Sequence, residues 1–126
     1  MQPQPLIAVH DVSTSRSWYE NVLGLRGVHG GDEYERMMCG DVLVLQLHQY
    51  GAHDHSNLGE PSESKRGGAI LWFQTDLFDD TVSKIQAERV SVLEGPRVNP
   101  NANHREIWLR DPDGYTVVIA GQPGDV

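Results

Sequence analysis

The sequence predicts an α+β fold in which one strand–helix–strand–strand–strand unit is used twice, and three observations carry that reading. Residues 15–23 and 77–89 space apolar side chains three and four apart, the pattern of amphipathic helices. Each follows a short apolar run and precedes sequence of strand character. Between the halves lies a polar stretch, residues 49–67, after which the order of elements restarts, so the repeat is one of structure rather than of letters.

Residues 4–9 read as a strand, and residues 10–15 as a polar connector rich in N-cap residue types. The first helix, residues 15–23, pairs Trp18 with Val22 and Tyr19 with Leu23 on one apolar face, with Trp18 expected in the core; Gly24 is placed to stop it. Residues 25–31 read as a short strand ending at Gly-Gly. Residues 33–39 and 42–48 form a hairpin around Gly40 and Asp41. The connecting loop carries His53 and His55, spaced as metal ligands can be but unaccompanied by other patterned ligands, so they read as solvated.

In the second half, residues 69–74 are a strand, and Asp76 leads into a helix with Phe78, Val82 and Ile85 on one face. Residues 90–93 are a short strand, and residues 95–103, with two prolines and three asparagines, a loop. The chain closes on a hairpin. Glu106, Trp108 and Arg110 alternate with Ile107 and Leu109, which gives a strand with two unlike faces. Asp111-Pro-Asp-Gly114 supplies turn chemistry, and the β-branched run after Tyr115 returns as a second strand.

Composition narrows the class. A chain of 126 residues suits one domain, with modules at about 4–50 and 68–121. The net charge of −8, from 18 acidic and 10 basic residues, argues against nucleic acid or an anionic membrane and favours a neutral or cationic partner. Lone Cys39 allows no internal disulfide and reads as a small buried hydrophobe in a reducing, cytoplasmic protein. No apolar run approaches the ~20 residues of a spanning helix, and no signal peptide is evident.

Two motifs at this separation resemble the vicinal oxygen chelate superfamily: His10-Asp-Val-Ser-Thr-Ser-Arg-Ser-Trp-Tyr-Glu-Asn-Val-Leu-Gly-Leu25 and Arg110-Asp-Pro-Asp-Gly-Tyr115. That group includes glyoxalase I, bleomycin-resistance proteins, fosfomycin-resistance enzymes and extradiol dioxygenases. The resemblance implies two βαβββ modules whose mixed sheets curve around one open cavity, with helices on the outer faces, and a homodimer. It also implies four metal-ligand positions, which fall here on Gln4, Gln46, Ile70 and Val118. Isoleucine and valine ligate nothing, and two amides are a poor set for Zn²⁺, Ni²⁺ or Fe²⁺, so no metal or other cofactor is expected.

Strand alternation extends those positions into a wall. Ile70 brings Trp72 and Gln74 inward; Val118 brings Glu106 and Trp108; Gln46 brings Val44 and His48; Gln4 brings Leu6 and Ala8. Trp72 and Trp108 either contact a ligand or fill the core. Glu106 is either an exposed carboxylate paired with Arg105 or Arg110, or a group that attracts a cation or hydrogen-bond donor. His48 is the polar candidate for ligand contact or acid–base work, whereas His10 and His104, at strand ends, read as surface residues. The wall suits a flat, partly polar molecule.

The leading expectation is a metal-independent, bleomycin-resistance-like binding protein for an aromatic, neutral or cationic small molecule, such as an antibiotic or metabolite. The competing expectation is an enzyme: a lyase, isomerase or dioxygenase with an altered metal site, or a metal-free catalyst built on His48 and Glu106. A third is an interaction module whose cavity is filled by its own side chains.

Overall fold

The computed structural model describes residues 1–51, 58 and 68–126. The chain divides into two compact units, Met1–Ser64 and Lys65–Val126. Each carries one helix and a four-stranded mixed sheet, so the expected α+β repeat is present in element order and topology.

The first unit runs β1 (Leu6–Val9), α1 (Val12–Leu23), β2 (Arg26–Gly27), β3 (Tyr34–Cys39) and β4 (Val42–Gln49), with sheet order β1-β4-β3-β2. β1 lies parallel to β4, and the other pairs are antiparallel. α1 starts earlier than the apolar spacing suggests, because Asp11 is its N-cap and its side chain accepts the Thr14 N–H at 3.0 Å. Gly24 ends the helix in the left-handed region, φ 69°. The buried stripe is Val12, Ser15, Tyr19 and Val22. Trp18 sits one position off that stripe and is only half-buried, edge-on to Tyr19 at 4.8 Å, which corrects its expected place in the core.

Two further expectations change here. β2 is two residues long rather than most of 25–31, because the following backbone turns inward to donate the His29 and Gly30 N–H groups to Glu35. Cys39 is exposed, at the end of β3 beside the Gly40 turn, where no layer covers it. The core of this unit lies between α1 and one sheet face, built from Ile7, Val9, Tyr19, Met37, Leu45 and Leu47.

The second unit runs β5 (Leu71–Gln74), α2 (Phe78–Ala87), β6 (Val92–Asn99), β7 (His104–Arg110) and β8 (Thr116–Ala120), ordered β5-β8-β7-β6. Residues 95–103 were expected to be a loop, yet β6 continues through Gly95 and Pro96 to Asn99 and pairs with β7. A proline is tolerated because β6 is an edge strand, and the register shifts between Val92 and Glu94 and between Glu94 and Arg97 absorb the misfit. Gly95 has φ 90°, and a Cβ there would stand 2.7 Å from the Glu106 carbonyl oxygen, so only glycine fits.

The closing hairpin forms as the motif predicts. Asp111 Oδ1 accepts the N–H groups of Asp113 and Tyr115, both at 2.9 Å, and Gly114 takes φ 86°. Phe78, Ile85, Ile107, Leu109, Val117 and Ile119 are buried. Arg105 bonds Asp79 at 2.7 Å and Asp125 at 3.2 Å and lies over the Phe78 ring, tying β7 to α2 and to the chain's last residues. Among the described residues no helix is long and apolar enough to cross a membrane.

Candidate functional site

Alternation along β7 gives this strand two chemistries. Arg105, Ile107 and Leu109 belong to the side that meets α2; His104, Glu106 and Trp108 belong to the other. Register then extends this second face across the sheet. Trp72, Val118 and Trp108 are aligned on β5, β8 and β7, as are Gln74, Ala120 and Glu106. Trp72 is 47% exposed, and its ring meets Trp108 edge-to-face with centroids 6.3 Å apart and His104 at 5.8 Å. Val118, between the two indoles in register, is fully buried. Ile70, just before β5, and Gln74 are exposed.

Glu106 is the polar centre of this face, 1% exposed. His104 Nε2 lies 2.7 Å from its Oε2, Trp108 Nε1 donates to Oε1 at 3.0 Å, and Asn99 Nδ2 reaches both oxygens at 3.3–3.4 Å. Arg97 stands 3.8 Å away. Burial pushes this carboxyl toward its neutral form, but the hydrogen bonds from Trp108, His104 and Asn99 together outweigh it and hold the pKa below the ordinary value. Glu106 is therefore neither exposed nor paired with Arg105 or Arg110. Arg105 faces α2, and Arg110 bonds the Gly114 carbonyl and Thr116 Oγ1.

His104 was expected on the surface, and its position at a strand end gave that reading. Its side chain is 12% exposed, because it packs against Trp72 and bonds Glu106. The signal was available: positions 104, 106 and 108 share one parity on a strand.

In the first unit, Leu6, Ala8, Gln46 and His48 likewise share the face turned from α1, with Leu6 opposite Gln46 and Ala8 opposite His48. Tyr34 and Arg36 join them from β3, opposite His48 and Gln46. Sequence reasoning missed Tyr34: counted from Gly40 and Asp41 the hairpin register sets it opposite Leu47, and only the bulge between Met37 and Met38 brings it opposite His48. An open depression of about 760 Å³ is lined by His29, Gly31, Asp32, Glu33, Tyr34, Gln46 and His48. Tyr34 Oη donates to Gln46 Oε1, and Gln46 Nε2 donates to the Gln4 carbonyl oxygen at 2.9 Å. Gln4 itself is exposed, ahead of β1. His48 is buried, its Nδ1 2.9 Å from the Gln49 carbonyl oxygen.

The expected metal-ligand positions do not fit a metal. Ile70 and Val118 carry no donor atom, and both ends of the Gln46 amide already have protein partners. Among the described residues no group of three His, Cys, Asp or Glu side chains is placed to hold an ion. His53 and His55 lie outside the described residues.

Comparison with known proteins identifies the family. The family model "Glyoxalase/Bleomycin resistance protein/Dioxygenase superfamily" matches residues 2–119. Virulence protein STM3117 of Salmonella typhimurium is 30% identical over 118 residues, covering 91% of this chain and 79% of that protein. Its crystal structure superposes with a TM-score of 0.71, covering 96% of each chain. An integron cassette protein of V. cholerae is 26% identical with a TM-score of 0.70, over 96% of this chain and 97% of that one. The fosfomycin resistance protein FosX of Listeria monocytogenes, 13% identical with a TM-score of 0.72 over 97% and 93% of the two chains, shares the fold. The chain is thus a member of the glyoxalase/bleomycin resistance protein/dioxygenase superfamily.

Proposed function

We propose that this chain is a metal-independent binding protein, of the bleomycin-resistance-like kind within its superfamily, for a planar aromatic molecule that is neutral or cationic. One observation carries the reading. An indole that is nearly half exposed, Trp72, stands edge-on to a second indole, Trp108, over a buried carboxylate. Water gains nothing from an exposed indole, whereas a flat guest stacked on it recovers the apolar area. The ionised Glu106 beneath adds attraction for positive charge, as does the chain's net charge of −8.

The test is intrinsic fluorescence with 1-methylquinolinium, a planar aromatic cation. Saturable quenching should fall in Trp72→Phe and in Trp108→Phe and persist in Trp18→Phe. Quenching that never saturates, or that vanishes only with Trp18, would falsify the reading. The same proposal includes a homodimer, against which a monomer in sedimentation at micromolar concentration would count.

A second reading, a metal-free acid–base enzyme, is favoured by the His104–Glu106 pair, a histidine backed by a carboxylate. It requires that a bound compound leave chemically changed. Recovery of unchanged guest after prolonged incubation decides for binding.

A further inference from the structure

The hydrogen bonds around Glu106 determine which nitrogen of His104 carries the proton. An ionised carboxylate only accepts, so His104 Nε2, 2.7 Å from Oε2, must be the donor. In the neutral imidazole the other nitrogen, Nδ1, then holds a free lone pair. Among the described residues nothing donates to that lone pair. It is not enclosed either: among the described residues the buried side-chain polar atom without a partner is Arg105 Nε. The ring that carries it packs against Trp72, the exposed indole of the face.

Resting on the binding reading above, we propose that His104 is the specificity-determining contact of this face. Its Nδ1 accepts a hydrogen bond from an N–H or O–H donor on the edge of a planar aromatic guest stacked at Trp72. Glu106 is the positioning residue for this contact, acting through the imidazole, beside the attraction its charge exerts on a cationic guest. This selects a chemical class: flat heteroaromatics bearing a ring N–H or a phenolic or amino donor, in preference to flat molecules of the same shape that only accept.

The experiment uses the full chain labelled with ¹⁵N and two isosteric probes, indole, with a ring N–H, and benzofuran, with a ring oxygen. Long-range imidazole spectra of the wild type should show His104 as the Nε2–H tautomer, and Glu106→Gln should relax it toward a mixture. In shift titrations at pH 8 indole should bind about tenfold more tightly than benzofuran, the effect of one hydrogen bond. That preference should disappear in His104→Phe. An Nδ1–H tautomer in the wild type overturns the proposal without any variant. Equal affinities with both probes shifting the Trp72 and Trp108 resonances also overturn it, while leaving the stacking reading intact. No shift at either indole removes the binding reading and this proposal together.

Discussion

Each half of this protein buries one carboxylate on the third strand of its unit, and the two serve opposite ends. Glu35 on β3 faces α1. It receives Arg16 Nε and the backbone N–H groups of His29, Gly30 and Arg36. Glu106 on β7 faces away from α2 and is held by side chains, His104, Trp108 and Asn99. Parity puts them on opposite faces of their sheets. A carboxylate on the helix side is a fold determinant that organises the chain between β2 and β3. A carboxylate on the other side, ringed by side-chain donors, is the centre of the face proposed to bind a guest. Burial alone does not tell these roles apart; the identity of the donors does.

The largest expected effect tests that difference through stability. Glu35→Ala leaves Arg16 and three backbone N–H groups without their acceptor and should cost about 3–5 kcal/mol in urea denaturation. Glu106→Gln keeps an acceptor oxygen among the same donors and should cost about 1–2 kcal/mol. Equal losses would erase the distinction.

Acid should separate the units next. Burial acts to raise the Glu35 pKa, but the N–H groups of His29, Arg36 and Gly30 and the Arg16 side chain bring it down to about 2, from an ordinary value of 4.5. A carboxyl with a lowered folded pKa stabilises the fold fully above its unfolded value and loses that contribution as pH falls. The loss should therefore run from about pH 4.5 to about 2 and amount to about 3 kcal/mol at the end. Urea midpoints measured across that window should fall less steeply in Glu35→Gln than in the wild type.

Binding should show the reverse asymmetry. Trp72→Ala should weaken 1-methylquinolinium binding by about 2 kcal/mol or more, the scale of a hot spot. Trp18→Ala, on the outer flank of α1, should leave it within about twofold, which titration calorimetry resolves. A comparable loss at Trp18 would move the site to the first unit.

The smallest effects concern the helices. α1 has a side-chain cap in Asp11, whereas α2 starts at Leu77, which is 58% exposed and supplies no capping side chain. Asp11→Ala should cost about 1 kcal/mol, and Leu77→Asp should gain about 0.5–1 kcal/mol, both by thermal unfolding. If Leu77→Asp gives no gain, the Thr75 Oγ1 that already accepts the Leu77 N–H is a sufficient cap.

The sequence by itself determined the repeat, because local signals carry it. Apolar spacing marks the helices, Asp111 to Gly114 specify their turn, and Gly24 stops α1. Alternation was enough to put Trp72, Glu106 and Trp108 on one face and Ile107 and Leu109 on the other, since period 2 is a property of the strand itself. It could not place Trp18, because an amphipathic stripe admits neighbours one position apart and packing against the sheet chooses among them. Nor could it extend β6 through Gly95 and Pro96, whose local preference for a loop yields to pairing with β7. Tertiary structure alone decided which distant groups reach Glu106 and its neighbours on β7. Asn99 comes from β6 and Trp72 covers the patch from β5, and no spacing in the chain records that they converge. A strand's faces are local, but what stands opposite a side chain is settled by register and packing between distant segments.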